Sequence, residues 1–550
     1  MRIIGGSAIN AGSHAIREVA GNPGIRRIEA AWAIGIAADW AYLIVLLIAA
    51  YAAGGAIGVG VLGVVRMIPP ALVGPFADVV VARMRGDRAL VAVNLIRAGA
   101  AGATALVLAL DAPTGIAFAL AGLGAAAGVL VRPIQTGLMP ALARTPSELV
   151  AANVTSGIGE GAGGFTGPLI GAALVVGAGP AAACAVAAAA FVGAAAVLAG
   201  LRFHDESDAR GGQTAVSRPD GIPVGRALRA LRRHPEVGLV FLDFGSQTFV
   251  RGMLTTLIVV ASIQLLELGD SGVGILNASI GLGGFMGALG AITLTRIPRL
   301  ASVFLVALAF WGFPIAVVGA WPVATLAFAA MFVIGVSNAV LDVAGFTIFQ
   351  RGVNASERVP VFGLLEGVAG FGVAAGGLIA SFLVEAVGVR GALGIAGAIL
   401  PIIAVATWPW ISRLDRQLAA PEHEAAALRA IPMFTPLPLT AIDRIAAAVR
   451  PVSFEAGATI MRQGDPGDTY IALTRGTVAI DIDGRPVATC QAGDGIGEIA
   501  LLRKVPRTAT ATATTDVAGY ELDGDEFLCA IAGPASTSAA EQLVAARLAR

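Results

Sequence analysis

The sequence has 550 residues, of which 56% are hydrophobic and 13% charged, and its mean hydropathy is +0.80. In a chain of this length, that composition indicates a polytopic membrane protein rather than a string of soluble domains. The 37 basic side chains balance the 37 acidic ones, which argues against nucleic acid as a partner. The three cysteines have no metal-ligand spacing, so no metal site is predicted.

Residues 1–28 are polar and basic and lack the apolar core of a signal peptide, so we expect them to stay in the cytoplasm. Twelve apolar segments follow, each close to the ~20 residues that a helix needs to cross a bilayer. A charged interval at 202–235 divides them into six and six. The predicted spans are 30–52, 55–80, 89–110, 114–135, 152–177, 179–201, 236–264, 272–295, 299–320, 323–348, 360–387 and 391–412.

Arginine placement predicts the orientation of these spans. The interval 202–235 and alternate short loops are rich in arginine, whereas the opposite loops hold essentially only Arg390. Because positively charged loops remain on the cytoplasmic side, both termini and the central loop are predicted to be cytoplasmic. We therefore expect a multi-pass protein of the cell membrane, the inner membrane in a bacterium.

A short internal repeat divides the spans into two related halves, 29–201 and 236–413. Residues 157–165 read Gly-Ile-Gly-Glu-Gly-Ala-Gly-Gly-Phe, and residues 363–371 read Gly-Leu-Leu-Glu-Gly-Val-Ala-Gly-Phe. The two stretches lie in the fifth and the eleventh predicted span, with a glutamate in the same register. The fold class predicted is a twelve-helix membrane protein of two pseudo-symmetric six-helix halves, followed by a small soluble β-roll domain with flanking helices.

Three further motifs resemble those of major facilitator transporters, in particular their twelve-span, drug-efflux-like branch. They are Gly74-Pro-Phe-Ala-Asp78 with Arg83 after it, Arg132-Pro-Ile-Gln135 and Leu149-Val-Ala-Ala-Asn153. The resemblance implies a secondary transporter built of two parallel halves around a site at the membrane midplane. It also implies that Gly74, Asp78 and Arg83 belong to a gating loop between the second and third spans.

Ionisable side chains inside predicted spans are candidates for proton coupling or substrate binding, because an unpaired charge in hydrocarbon is costly. Glu160 and Glu366 of the repeat are the first choice for protonatable groups. The alternative is that each is a structural acid paired with an arginine on a neighbouring helix. The further candidates are Asp39 and Asp243 as a second pair of acids, Arg66 and Arg251 as ion-pair partners or contacts to a substrate anion, and Asp342.

The C-terminal residues carry a pattern suited to a sugar phosphate. Residues 493–510 form a glycine-rich turn with Glu498, one apolar helical turn, and then Pro506-Arg507-Thr508 at the start of an alternating strand. A helix N-terminus presents unpaired backbone NH groups to an anion, and a guanidinium offers a planar two-donor fork to a phosphate. In such a site, Glu498 would accept a hydrogen bond from a ribose hydroxyl.

This segment resembles the phosphate-binding cassette of cyclic-nucleotide-binding domains, with the likeness extending over residues 428–550 after a linker at 414–427. The resemblance implies that Glu498 binds the ribose 2′-hydroxyl and that Arg507 binds the cyclic phosphate. It also implies that backbone NH groups at Gly497, Ile499 and Ala500 and the hydroxyl of Thr508 complete the site. The alternative is a β-roll that has lost its ligand and keeps Arg507 as a surface charge.

Together these features predict a proton-coupled exporter of a small amphiphilic or drug-like solute, regulated by cytosolic cyclic AMP or, as the second choice, cyclic GMP. The expected partners are the lipid bilayer, the cyclic nucleotide, protons and an unidentified small-molecule substrate, with no further cofactor. No hydrolase or ATPase motif is present, so the chain is not expected to be an enzyme. Two alternatives remain open, a membrane-anchored receptor or scaffold that does not transport, and a lipid or lysolipid flippase of the same fold.

Overall fold

The computed structural model divides the chain into two compact units, Met1–Asp415 and Arg416–Arg550. The residues that it describes are 19–73, 85–143, 146–201, 223–291, 299–353, 355–418, 422–435, 437, 442, 445–446, 448–503 and 505–531.

The first unit is helical. Its helices are α1 (Pro23–Val73), α2 (Gly86–Ala109), α3 (Thr114–Gly128), α4 (Val131–Leu142), α5 (Pro146–Ala199), α6 (Pro223–Arg233), α7 (Pro235–Val260) with a π-helical turn (Ala261–Leu265), α8 (Gly269–Ala291), α9 (Leu300–Ala320), α10 (Ala324–Gly352) and α11 (Ala355–Leu418).

Nine helices among the described residues are long and apolar enough to cross a membrane. Three of the nine, α1, α5 and α11, bend at a glycine with non-helical backbone: Gly55, Gly179 and Gly388. Because each of these three contains two helical segments, the nine helices provide twelve segments where the sequence predicts twelve spans. That each segment crosses a membrane stays a prediction.

The internal repeat has a counterpart in the backbone. Gly179 has φ +83° and ψ 167°, and Gly388 has φ +73° and ψ 172°. Glycine adopts this region readily because it lacks a Cβ atom. Each glycine ends the helical segment that carries one copy of the repeat and begins the next segment. The two halves therefore share a glycine with the same positive-φ conformation at the end of the repeat-bearing segment, as well as the glutamates at 160 and 366.

Helix α1 begins before the first predicted span. Pro23 occupies its first turn, where the missing NH group is no loss. The side chain of Asn22 caps the helix, with Oδ1 accepting from the backbone nitrogens of Gly24 at 3.1 Å and Ile25 at 3.3 Å. The predicted start of the first span, at residue 30, leaves Glu29 at the edge of the membrane. In the structure, Glu29 lies in the second turn of α1.

The connection to the C-terminal unit is more helical than the sequence predicts. Helix α11 continues to Leu418, beyond the predicted end of the last span at 412. A second helix, α12 (Glu422–Arg429), lies largely inside the predicted linker 414–427.

The second unit is a β-roll of two four-stranded antiparallel sheets, in the orders β1-β8-β3-β6 and β2-β7-β4-β5. The sequence predicts a small β-roll in this part of the chain, and this is confirmed. Its elements are a 3-10 turn (Pro432–Phe434), β1 (Arg450–Phe454), β2 (Thr459–Met461), β3 (Thr469–Arg475), β4 (Thr477–Ile482), β5 (Arg485–Gln491), β6 (Gly495–Ile496), α13 (Glu498–Arg503), β7 (Thr510–Ala513), β8 (Val517–Asp523) and α14 (Gly524–Ile531).

The core between the two sheets fixes the position of the glycine-rich turn. Ile471 of β3 pairs with Ile496 of β6, and both pack against Val478 and Ala511 of the other sheet. Ile496 is 4% exposed. Since Gly497 follows this buried residue directly, the turn before α13 is held beside Thr469 at the start of β3.

Candidate functional site

Arg507 lies at the centre of the predicted nucleotide site and is 7% exposed. Its Nη2 donates to the backbone oxygen of Thr469 at 2.8 Å and to the Thr469 hydroxyl at 3.1 Å. Its Nη1 donates to the backbone oxygen of Gly497 at 3.3 Å. A guanidinium has five N–H groups, so these three bonds hold the plane of Arg507 and leave two donors for an anion.

The backbone around Arg507 is fixed as well. Its NH group donates to the oxygen of Asp465 at 2.8 Å, and its carbonyl accepts from the nitrogen of Gly464, also at 2.8 Å. These bonds tie the segment before β7 to the loop between β2 and β3. The arginine is therefore positioned from both its main chain and its side chain.

Gly497 is required by its conformation and by its neighbours. Its φ is +100°, a region that side-chain-bearing residues rarely adopt. A Cβ atom there would lie 2.5 Å from Nη1 of Arg507 and 2.7 Å from the Thr469 oxygen. Only glycine lets the turn approach the guanidinium this closely.

The remaining residues of the predicted cassette surround this pair. Glu498, the first residue of α13, is 2% exposed, and Ala500 is 3% exposed. A Cβ atom at Gly467 would collide with Ala500 and crowd the side chain of Arg507. Ile499 and Thr508 are half-buried. The structure thus gathers the predicted residues at one place.

The electrostatics of the site depend on a buried cation among acids. Burial lowers the pKa of Arg507 below its ordinary value, because the charged form loses hydration. Nearby acids have the opposite effect and raise this pKa; they are Asp468, Glu498, Glu521 and Asp465. A ligand phosphate would meet a guanidinium whose position is set by hydrogen bonds and whose charge is supported by nearby carboxylates.

Thr469 was not predicted as part of this site. It contributes both a backbone oxygen and a hydroxyl to Arg507, yet it lies 38 residues earlier in the sequence. Its role depends on the pairing of β3 with β6, which local sequence pattern does not reveal.

In the helical unit, Glu160 pairs with Arg132 of α4 at 3.2 Å, and both side chains are largely exposed. Asp342 of α10 accepts a hydrogen bond from Asn338 at 2.8 Å. It also interacts electrostatically with Arg251, Glu160 and Glu366. Acids from both halves, Glu160 of α5 and Glu366 of α11, thus lie within electrostatic range of Asp342. We call these three acids, with Arg132 of α4 and Arg251 of α7, the charged group.

Asp39 and Asp243, which we predicted as a second pair, differ in their surroundings. Asp39 forms salt bridges with Arg66 at 3.3 Å and Arg97 at 3.1 Å, and both arginines are buried. Asp243 is 2% exposed and accepts a hydrogen bond from the Thr407 hydroxyl at 3.0 Å. Among the described residues, no salt bridge reaches Asp243. The gating-loop prediction for Gly74, Asp78 and Arg83 lies outside the described residues.

A further buried acid, Glu29, was missed by the sequence analysis. It is 5% exposed and accepts hydrogen bonds from the Ser156 hydroxyl at 2.6 Å and from Nε2 of Gln135 at 3.3 Å. The sequence signal that could have found it is Asn22-Pro23, which places the start of α1 ahead of this residue.

Comparison with known proteins identifies the C-terminal unit. The family model of the cyclic nucleotide-binding domain matches residues 451–532. The chain therefore contains such a domain, as the resemblance implied. This domain holds Gly497, Glu498 and Arg507.

Curated relatives match over comparable lengths. The acetyltransferase Pat of Mycolicibacterium smegmatis is 40% identical over 110 residues, which are 19% of this chain and 33% of that protein. The cAMP-dependent protein kinase regulatory subunit of Emericella nidulans is 36% identical over 104 residues, 18% and 25% of the two chains. A cyclic nucleotide-gated potassium channel of Rhizobium etli is 37% identical over 98 residues, 18% and 27%. The chain spans about a quarter to a third of the length of these relatives.

Proposed function

We propose that the chain is a membrane transporter whose activity is set by a cyclic nucleotide bound to its C-terminal domain. The observation that carries this proposal is that one chain holds a buried Arg507–Glu498 site and, among its described residues, nine long apolar helices. The ligand proposed is cyclic AMP, since the relatives named above include a cAMP-dependent protein kinase regulatory subunit.

The proposed binding mode uses the geometry of Arg507. Its two remaining N–H donors bind the cyclic phosphate, and Glu498 accepts from the ribose 2′-hydroxyl. Charge-assisted hydrogen bonds of this kind are each worth about 1.5–3 kcal/mol. An anion that enters this site also offsets the cost of burying the guanidinium.

The proposed transport path lies at the charged group around Asp342. Glu160 and Glu366 supply one acid from each half, and Arg132 and Arg251 supply basic partners. A change in protonation at one acid alters which arginine each acid attracts. Such a rearrangement links proton binding to the relative position of the helices, which is what a proton-coupled exporter of an amphiphilic solute requires.

Regulation requires that the nucleotide favour one conformation of the membrane unit over another. A ligand shifts such an equilibrium only through its differential affinity for the two states, and typical couplings are about 1–3 kcal/mol. We place the link at Asp415, the last residue of the helical unit. It is bonded to the first turn of α9.

The test uses the full chain reconstituted into lipid vesicles that enclose a pH-sensitive dye. Ethidium, an amphiphilic cation, is added with and without cyclic AMP, and the solute-dependent movement of protons is recorded. We expect cyclic AMP to change the rate in the wild type. Arg507→Ala should keep the basal rate and lose the response.

A double variant tests the transport path itself. Glu160→Gln combined with Glu366→Gln should abolish solute-dependent proton movement and leave nucleotide binding intact. If this double variant and the wild type move protons equally while both bind nucleotide, the receptor or scaffold function is favoured over transport.

A further inference from the structure

Glu29 is a carboxylic acid buried between three helices of the first half. It lies six residues after Pro23, about 9 Å along the axis of α1 at 1.5 Å per residue, and is 5% exposed. Ser156 of α5 and Gln135 of α4 both donate to its Oε1. Its Oε2 is buried and has no hydrogen-bond partner among the described residues.

Several charged side chains on the surrounding helices have partners other than Glu29. Arg132 of α4 pairs with Glu160 of α5 at 3.2 Å, Arg97 of α2 pairs with Asp39 at 3.1 Å, and Asn22 bonds Glu148 at the start of α5 at 2.8 Å. Nη1 of Arg26, one turn earlier on α1, donates to the oxygen of Ala20. Within the described residues, no salt bridge reaches Glu29.

As far as the described residues show, an ionised carboxylate in such a position would lack both a counter-charge and a partner for one of its oxygens. Burial of an unpaired charge is so costly that the group neutralises instead. The neutral form needs only one proton, which the carboxylate takes from hydronium, forming an O–H bond and releasing water. The uncharged Ser156 and Gln135 side chains are compatible with that form.

We propose that Glu29 is a proton-binding site of the first helical half and holds its proton at neutral pH. Asp243 supports this assignment, since it occupies a similar position in the second half. It lies eight residues after Pro235 in α7, about 12 Å along the helix, is 2% exposed, and has the Thr407 hydroxyl as its side-chain partner. Within the described part of each half there is thus a deeply buried acid, near the start of the first long helix, that is bonded to a hydroxyl.

Glu29 is connected to the charged group through shared helix faces. Gln135 lies three residues after Arg132, and Ser156 lies four residues before Glu160, so each pair shares one face of its helix. Nε1 of Trp32 donates to the backbone oxygen of Ser156 at 3.3 Å, and the Arg132 guanidinium lies 5.9 Å from the Trp32 ring. A change of charge at Glu29 would therefore act on the helices that hold Arg132 and Glu160. Its part in a transport cycle rests on the proposed function, whereas its protonation does not.

The experiment is infrared difference spectroscopy of the purified full chain in lipid nanodiscs during a pH titration, without solute or nucleotide. The C=O stretch of a protonated, buried carboxyl group is the readout. We expect the wild type to show this absorption at neutral pH, and Glu29→Gln to lose a band that the matched control Glu385→Gln, at an exposed position, retains.

Ser156→Ala removes the hydroxyl partner and keeps the acid, so its band should persist at a shifted frequency. The proposal is overturned if Glu29→Gln and Glu385→Gln give the same carboxyl absorption, or if the Ser156→Ala band does not shift. Because the readout needs no transported solute, these results are separate from the vesicle assay. If the transport proposal fails, the infrared spectrum still decides by itself whether Glu29 is protonated.

Discussion

Asp415 accepts a hydrogen bond of 2.7 Å from the backbone nitrogen of Ala301, so the end of the last apolar helix is joined to the start of α9. Its second oxygen accepts from the backbone nitrogen of Ser302 at 3.1 Å and from the Ser302 hydroxyl. The carboxylate thereby satisfies NH groups that a helix start leaves unpaired. Residue 416, the next in the chain, begins the nucleotide-binding unit.

Removal of this carboxylate should loosen the first turn of α9. Loss of a capping group costs about 0.5–2 kcal/mol, so in Asp415→Ala the amides of Ala301 and Ser302 should exchange with deuterium about 2- to 30-fold faster. Arg413→Ala, at an exposed position two residues earlier, serves as the control and should leave these amides unchanged. Equal exchange in the two variants would contradict a capping role for Asp415.

Arg507 should dominate nucleotide affinity. Each charge-assisted bond is worth about 1.5–3 kcal/mol, so the loss of even one predicts that Arg507→Ala binds cyclic AMP at least about 10- to 150-fold more weakly. Calorimetric titration of the full chain measures this. Arg503→Ala, at the exposed end of α13, should bind like the wild type. A similar loss of affinity in both variants would show that the overall positive charge of the domain, and not the Arg507 site, attracts the nucleotide.

Glu498 should determine the response to the sugar. If its carboxylate accepts from the ribose 2′-hydroxyl, the wild type will prefer cyclic AMP over 2′-deoxy cyclic AMP, and Glu498→Ala will bind the two equally. Competition binding with both nucleotides gives the ratio directly. A variant that loses affinity but keeps the wild-type preference would show that Glu498 acts on the fold and not on the ribose.

Gly497 and Gly493 separate two effects of adding a side chain. Both have positive φ, +100° and +93°, and alanine in such a conformation costs of order 1–3 kcal/mol of stability. A Cβ at Gly493 meets nothing within 4 Å, whereas one at Gly497 meets Arg507 and Thr469. We expect both alanine variants to lower the thermal midpoint of the domain. Only Gly497→Ala should also lose nucleotide binding, and retention of full affinity there would contradict the close approach of the turn to Arg507.

The nucleotide site could be predicted from sequence because most of it is local. Gly497, Glu498, Ala500 and Arg507 fall within eleven residues whose order sets the turn, the helix and the strand. Thr469 could not be predicted in the same way, since its contact with Arg507 depends on how β3 pairs with β6. Long-range pairing of this kind leaves no local periodic signal.

In the helical unit, too, local features could be predicted from the sequence, whereas long-range contacts could not. Apolar length predicted where helices lie, and a repeated glutamate predicted two related halves. Glu29 was missed because a hydropathy boundary marks where a segment becomes apolar, whereas α1 begins at the cap formed by Asn22 and Pro23. Asp39 pairs with Arg66 and Arg97, and both arginines come from later helical segments. This three-residue cluster is therefore visible only once those segments pack together.

We propose that nucleotide binding at Arg507 acts on the helical unit. Hydrogen–deuterium exchange of the full chain in lipid nanodiscs, with and without cyclic AMP, tests it most directly. We expect altered exchange around 464–508 and also at the start of α9 and the end of α11, with both changes absent in Arg507→Ala. Altered exchange confined to the C-terminal unit, with the helices unaffected, would contradict it.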